Sequence, residues 1–340
     1  MPKETQIIPT FSLQEAQKAL ETHIKNLNTE GRPTDLYAPI EYIMSLGGKR
    51  MRPLLVLLGY SLYDSEWKNA VAPAIVTEVF HNFTLLHDDI MDNAPIRRGQ
   101  PTAHEKWNEN TALLSGDLML IKTYQWFGET IPSDKFPLVL QLFNKCAIGV
   151  CEGQQFDMEF EKRNDVQIEE YLEMIKLKTA VLLGFSLELG AILGGAKPYE
   201  AQQLREVGIS AGIGFQLHDD ILDVYADPKT FGKRVGGDIT ENKKTYLMLT
   251  ALQKEKEAGK TQEDKNSLQN WINKTDFDET KKVKAVTEIY NNLNIRGLTE
   301  EKMNEYFETS YKTLQNLSVR HENHKRFLKQ FLMQIQERQK

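Results

Sequence analysis

The chain has 340 residues, 40% apolar and 26% charged, and a net charge of −6 at pH 7. That balance belongs to a globular protein able to bury a sizeable core, and the absence of a basic arm or Arg-rich run from the sequence excludes a general nucleic-acid binder. The opening residues MPKETQIIPT lack a basic stretch followed by an apolar run, and the apolar stretch at 54–58 is far shorter than the ~20 residues that span a bilayer. A cytoplasmic protein with no transmembrane segment is the expectation.

Apolar residues recur at three- and four-residue spacing almost throughout, while strand-like alternation is hard to find, so an all-α fold is predicted. A first helix, about 12–28, opens at Ser12 with Glu15 three residues on, the pattern of a capping box, and aligns Leu13, Ala16, Leu20, Ile24 and Leu27. GRPTD breaks it. Further helices are predicted over 37–45, 50–63, 70–93, 111–128, 136–160, 168–194, 199–226 and 242–254, bounded by Gly, Pro, Asn or Asp. Residues 253–282 are rich in Lys, Glu, Asp, Asn and Gln and read as an exposed connection with a short solvated helix. Because no linker marks a boundary, one domain over 1–340 is expected: an N-terminal helix, a core of about 37–252 and C-terminal helices over 253–340. Long helices that are apolar on more than one face predict a bundle with buried central members. Cys146 and Cys151 read as reduced core residues.

Two near-duplicate segments, LLHDDIMD and QLHDDILD, carry Asp88, Asp89, Asp92 and Asp219, Asp220, Asp223. On a helix, residues i and i+4 are neighbours, so each cluster can present two carboxylates to one point. A lone acidic triplet is usually a solvated helix face. Repetition inside two apolar helices argues otherwise, since buried carboxylates need a partner or a cation. Hard oxygen ligands favour Mg²⁺, which takes its remaining ligands from water and substrate phosphates.

A diphosphate ligand calls for basic side chains nearby. Arg97 and Arg98 follow the first cluster after a turn at 93–96, and Lys233, Arg234 and Lys243 follow the second. Upstream, GGKRMRP supplies Lys49, Arg50 and Arg52 after Gly47 and Gly48, with Pro53 suited to a first helical turn. Alone this segment reads as a surface loop. It is not a P-loop, because the Gly-x-x-x-x-Gly-Lys-Ser/Thr spacing is missing. His87 and His218, before each aspartate pair, read as packing histidines, and Glu78 with His81 forms an E-x-x-H that lacks the companion ligands of a di-iron site.

With GGKRMRP, HDDIMDNAPIRRG, KLKTA, GFQLHDDILDVYAD and GKRVGGDITENK in order over about 37–245, the sequence resembles the trans-isoprenyl diphosphate synthases, or polyprenyl synthetases. The resemblance implies a helical bundle with a central active-site cavity, a homodimer, and Mg²⁺, three ions with substrate bound. It implies that Asp88, Asp92 and Asp219 are direct ligands, followed by Asp89, Asp220 and Asp223. Lys49, Arg52, His81 and Arg98 would hold isopentenyl diphosphate, and Arg97, Lys178, Lys233 and Lys243 the allylic diphosphate (dimethylallyl, geranyl or farnesyl). Thr179 and Gln216 match polar positions beside the reacting carbons.

In this family product length is gated one to two turns before the first cluster, where Phe83 and Phe80 lie ~7.5 and ~12 Å from Asp88 along the axis. Thr84 is not aromatic, and the first motif has no insertion. The combination resembles an archaeal geranylgeranyl synthase, with farnesyl or longer products as alternatives. A terpene synthase would leave Lys49, Arg52 and Arg98 idle, and a non-catalytic synthase subunit tends to lose one aspartate cluster, whereas both stand here.

Overall fold

A computed structural model describes residues 11–227, 235–260, 264 and 267–338. Lys233 and Arg234 lie outside the described residues. The fold is all-α as expected, and in chain order the helices are α1 (Leu13–Lys25), α2 (Thr34–Ser45), α3 (Met51–Ser61), α4 (Val71–Met91), α5 (Ala103–Lys106), α6 (Glu109–Thr130), α7 (Phe136–Lys162) and α8 (Ile168–Ile175). They continue with α9 (Val181–Gly194), α10 (Pro198–Tyr225), α11 (Gly237–Thr240), α12 (Tyr246–Glu257), α13 (Leu268–Asn273), α14 (Glu279–Asn292), α15 (Ile295–Asn316) and α16 (Lys325–Gln336). Contacts group the chain into two compact units, each assembled from discontinuous segments.

The first unit comprises Met1–Asn144, Leu182–Glu206 and Thr313–Gln330. Ser12 starts α1 by accepting from the Glu15 N–H at 3.4 Å, and Asn108 starts α6 by accepting from the Thr111 N–H at 2.9 Å. In α3 every residue but Arg52 is buried, the pattern of a helix that is apolar all round. It packs on α4, which also packs on α6. α9 approaches α3 backbone to backbone: a Cβ on Gly59 would stand 2.5 Å from the Leu187 carbonyl oxygen, so only glycine fits.

The second unit comprises Lys145–Val181, Val207–Lys312 and Phe331–Lys340. Here the predicted helix 168–194 is interrupted. Residues Lys176–Ala180 form a π turn between α8 and α9, a local widening that re-aims the side chains it carries. The whole run Ile168–Gly194 is long and apolar enough to cross a membrane, a length the sequence reading did not find. Within its apolar window 83% is buried inside the protein, as in a core helix.

Most of the described residues in 253–282 are exposed, as their composition predicts, with the short helix α13 among them, and the few buried polar groups are satisfied internally. Glu255, 4% exposed, accepts from the Leu268 N–H at 2.8 Å and from Lys260 at 3.0 Å. Lys282, 1% exposed, donates to Asn242 Oδ1 at 2.7 Å and to the Thr240 carbonyl at 3.1 Å, which ties α14 to the end of α11. Neither cysteine is in a disulfide; Cys146 is buried as expected, whereas Cys151 is exposed.

Candidate active site

In the first unit, α4 runs apolar from its start and ends on the first acidic cluster. Asp88 and Asp92, one turn apart, share a side of the helix, and Asp89 is rotated ~100° from Asp88. Asp89 is 2% exposed and accepts both bonds of Arg97 Nε, at 2.7 and 2.9 Å, with Arg97 Nη2 2.6 Å from Oδ1. Burial raises the Asp89 carboxyl from the ordinary carboxylate value, and the guanidinium works against that rise. Arg97 also stands 3.6 Å from Asp88, so the guanidinium assigned to the allylic diphosphate by resemblance is shared between two aspartates.

A two-residue hairpin, absent from the sequence reading, sets this arginine. Ile96 pairs with Pro101 and Arg97 with Gln100, and the turn residues Arg98 and Gly99 have φ of 53° and 75°. Positive φ at both centres is the requirement of a tight type I′ turn, and it sends successive arginines in different directions. Arg98 Nη1 donates to the Gly47 carbonyl. A Cβ on Gly48 would stand 2.8 Å from Arg98 Cζ, so GGKRMRP and IRRG, distant in sequence, form one basic element.

Within GGKRMRP the three basic residues separate. Arg50 is 5% exposed and donates to Glu78 at 2.8 Å, Glu21 at 3.3 Å and the Met44 carbonyl at 2.7 Å. This internal clamp consumes Glu78 and leaves the E-x-x-H no role as a metal ligand pair. Lys49 is exposed and Arg52 half-buried at the start of α3. Burial and the guanidiniums of Arg52, Arg98, Arg97 and Arg50 hold His81 well below the usual histidine range. His81 is therefore a neutral imidazole at pH 7.

Phe80 and Phe83 differ in setting. Phe80, 1% exposed, is fixed edge-on to Phe143 at 5.0 Å inside an aromatic cluster. Phe83 is partly exposed, 5.6 Å from Phe80 and edge-on to His87 at 4.8 Å. Thr84 donates to the His81 carbonyl at 2.8 Å. His87 Nε2 lies 3.0 Å from the Leu113 carbonyl, the packing role its position predicts.

In the second unit, α10 carries the second cluster. Asp220, 4% exposed, accepts a short hydrogen bond from the Tyr171 hydroxyl and a second, at 3.3 Å, from Gln216 Nε2. Thr179 Oγ1 donates to Gln216 Oε1 at 3.1 Å and completes a line from the π turn to the cluster. Burial first, then the nearby Asp238 carboxylate, pushes the Asp220 carboxyl well above its ordinary value. Asp223 accepts from the Asp238 N–H at 3.1 Å. Asp219 pairs with Arg338, whose guanidinium also lies 3.9 Å over the Phe215 ring. Lys178 Nζ donates to Asp157 at 2.6 Å, and Lys243 Nζ stands 3.8 Å from the same oxygen.

A cavity of about 410 Å³ lies in this unit, lined in part by His218, Ile221, Leu222, Tyr225, Arg296 and Met303. Helical spacing puts His218, Ile221, Leu222 and Tyr225 on the face of α10 opposite Asp220 and Asp223. This cavity is therefore not the catalytic one expected between acidic groups.

Both clusters follow one pattern: the middle aspartate is buried and tied to its own unit, and the outer two share a face. The donor set suits Mg²⁺, with hard carboxylate oxygens one turn apart and neither thiolate nor imidazole between them. Among the described residues no group of three His, Cys, Asp or Glu side chains could hold a metal ion. A cation would take its other ligands from water and phosphate, as Mg²⁺ does. Tyr171, Asp157 and Arg338 were not found from sequence, and each acts through a residue distant in the chain.

The all-α fold with two acidic clusters near helix ends, each accompanied by cations, matches the pattern of the prenyltransferases that the motifs resemble. The polyprenyl synthetase model matches residues 33–290, beyond the span of 37–245 seen in the motifs, and the chain belongs to that family. It is 40% identical over 225 residues to a geranylgeranyl diphosphate synthase of Methanosarcina mazei, covering 66% of this chain and 69% of the relative. To a short chain isoprenyl diphosphate synthase of Methanothermobacter thermautotrophicus it is 38% identical over 245 residues, covering 72% and 75%. A crystal structure of a geranylgeranyl pyrophosphate synthase matches with a TM-score of 0.89 and 41% identity, over 97% of this chain and 100% of the other.

Proposed function

We propose that the protein condenses isopentenyl diphosphate head to tail with an allylic diphosphate and extends it to geranylgeranyl diphosphate. The observation that carries this reading is the shared design of the two clusters: one tethered aspartate and a pair of outer aspartates on one face. When bound, Mg²⁺ stabilises the charge that develops on a departing diphosphate.

In this reading Asp88 and Asp92 of the first cluster and Asp219 of the second would be metal ligands, with Asp223 one turn from Asp219. Asp89 fixes the end of α4 through Arg97, and Asp220 fixes α10 through Tyr171. Lys178 and Lys243, joined by Lys233, grip the allylic diphosphate, and Lys49, Arg52 and Arg98 grip isopentenyl diphosphate. His81 serves there as a neutral hydrogen-bonding group. The allylic C–O bond breaks, the electron pair leaves with diphosphate, and the carbocation is attacked by the double bond of isopentenyl diphosphate. Thr179 and Gln216 direct their dipoles towards the cationic carbons. The final proton goes to the released diphosphate. Phe83 closes the end of the tail channel, and Phe80 supports it from the aromatic cluster. Four apolar side chains on one side of α6, Leu113, Leu114, Ile121 and Tyr124, are 39–63% exposed and support a homodimer through that helix.

Asp88→Asn and Asp219→Asn are each expected to lower turnover by about 10²-fold or more, the scale of losing a transition-state charge partner, with the unfolding midpoint retained. Full activity in either variant would remove that aspartate from the mechanism.

A further inference from the structure

The carboxylate of Asp157 lies outside both aspartate clusters, and the reaction does not assign it a role. It sits on α7, 12% exposed, with Lys178 Nζ at 2.6 Å and Lys243 Nζ at 3.8 Å from one of its oxygens. The two ammonium groups are more open, 23% and 40% exposed. The arrangement is a buried anion beneath two cations that face outward.

Three separate pieces of chain converge here: α7, the π turn Lys176–Ala180 and the segment after α11. Their convergence is built into the backbone. A Cβ on Gly153, one turn before Asp157, would lie 2.7 Å from Lys178 Cα, so α7 and the π turn approach closely only because that position is glycine. Gly149, a further turn back, would meet the Leu177 side chain at 3.4 Å.

We propose that Asp157 is a positioning residue that holds Lys178 and Lys243 side by side as a two-pronged clamp for a diphosphate. The proposal rests on the function above and adds to it the group that sets the clamp. Two ammonium groups on mobile stems repel each other and swing apart. A carboxylate within reach of both cancels that repulsion and fixes both stems. Burial opposes the charge on Asp157, yet Lys243 and Lys178 together hold its carboxyl below the ordinary carboxylate range, so the anchor is charged at pH 7. Stability alone is a weak reason for such a group, since buried ion pairs are often replaceable by apolar side chains at no loss.

The test compares Asp157→Asn and Asp157→Glu with the unaltered protein. Unfolding midpoint, calorimetric affinity for inorganic diphosphate in Mg²⁺, and kcat and KM for each substrate are measured. Asp157→Asn is expected to fold, to bind inorganic diphosphate about tenfold more weakly and to turn over about 10²-fold more slowly, the order of a misplaced binding group, with the KM for isopentenyl diphosphate unchanged. Asp157→Glu should recover at least part of both losses. Diphosphate affinity in Asp157→Asn within twofold of the unaltered protein overturns the clamp. So does an Asp157→Glu variant as impaired as Asp157→Asn with an equal fall in midpoint, which marks a packing role. The diphosphate measurement decides the clamp even if no primer is elongated, an outcome that would instead overturn the proposed function.

Discussion

Each acidic cluster gives its three aspartates different roles. Asp89 and Asp220 are buried and bound by Arg97 and Tyr171, whereas Asp88 and Asp92 share one face of their own helix, and Asp219 and Asp223 one face of theirs. Breaking a buried pair such as Asp89–Arg97 leaves an uncompensated charge, at a cost of ~3–5 kcal/mol. Asp219 is 37% exposed and paired with Arg338, so that guanidinium competes with any cation for the carboxylate. Arg338→Ala is therefore expected to lower the Mg²⁺ concentration that gives half-maximal turnover by about fivefold, the factor equivalent to a part-exposed pair of ~1 kcal/mol. An unchanged or higher Mg²⁺ requirement would show that Arg338 does not compete. At this scale the aspartates are legible in the sequence because their spacing is local and repeated. Asp157, Tyr171 and Arg338 are not, because each meets its partner across a long stretch of chain, and a lone Asp, Tyr or Arg carries no periodic signal.

The helices were readable for a related reason. The positions of α4, α7 and α10 follow from apolar spacing, and Ser12 marks a start that the structure keeps, whereas α6 begins at Glu109, two residues before the predicted 111. Two irregular elements escaped, the π turn Lys176–Ala180 and the hairpin at Arg97–Gln100, and both place site residues. KLKTA has ordinary helix propensity, so nothing local marks the widening, which lies where α7 approaches closely at Gly153. Arg98 at φ 53° is a conformation that sequence alone would reserve for Asn or Gly. The packing account of the π turn predicts that Gly153→Ala destabilises the protein by about 1–3 kcal/mol, the usual cost of overpacking, and lowers turnover by displacing Lys178. Denaturant unfolding checks the first effect and steady-state kinetics the second. A variant with the stability and activity of the unaltered protein would mean that α7 and the turn separate freely.

For the molecule as a whole, composition predicted a globular protein and apolar spacing a helical one, and the largely exposed described residues of 253–282 follow their composition, with Glu255 and Lys282 as buried exceptions. The run Ile168–Gly194 departs from its composition: its apolar length would suit a bilayer but is used in the core. Membership of the polyprenyl synthetase family joins these features to one reaction class, and the account stands on the protein being a synthase that stops at twenty carbons. Chromatography of the products made from labelled isopentenyl diphosphate with Mg²⁺ and dimethylallyl, geranyl or farnesyl diphosphate tests that most directly. The account predicts geranylgeranyl diphosphate as the main product, with longer chains from Phe83→Ala. No elongated product from any primer would contradict prenyl transfer, and an unchanged distribution from Phe83→Ala would contradict the gate.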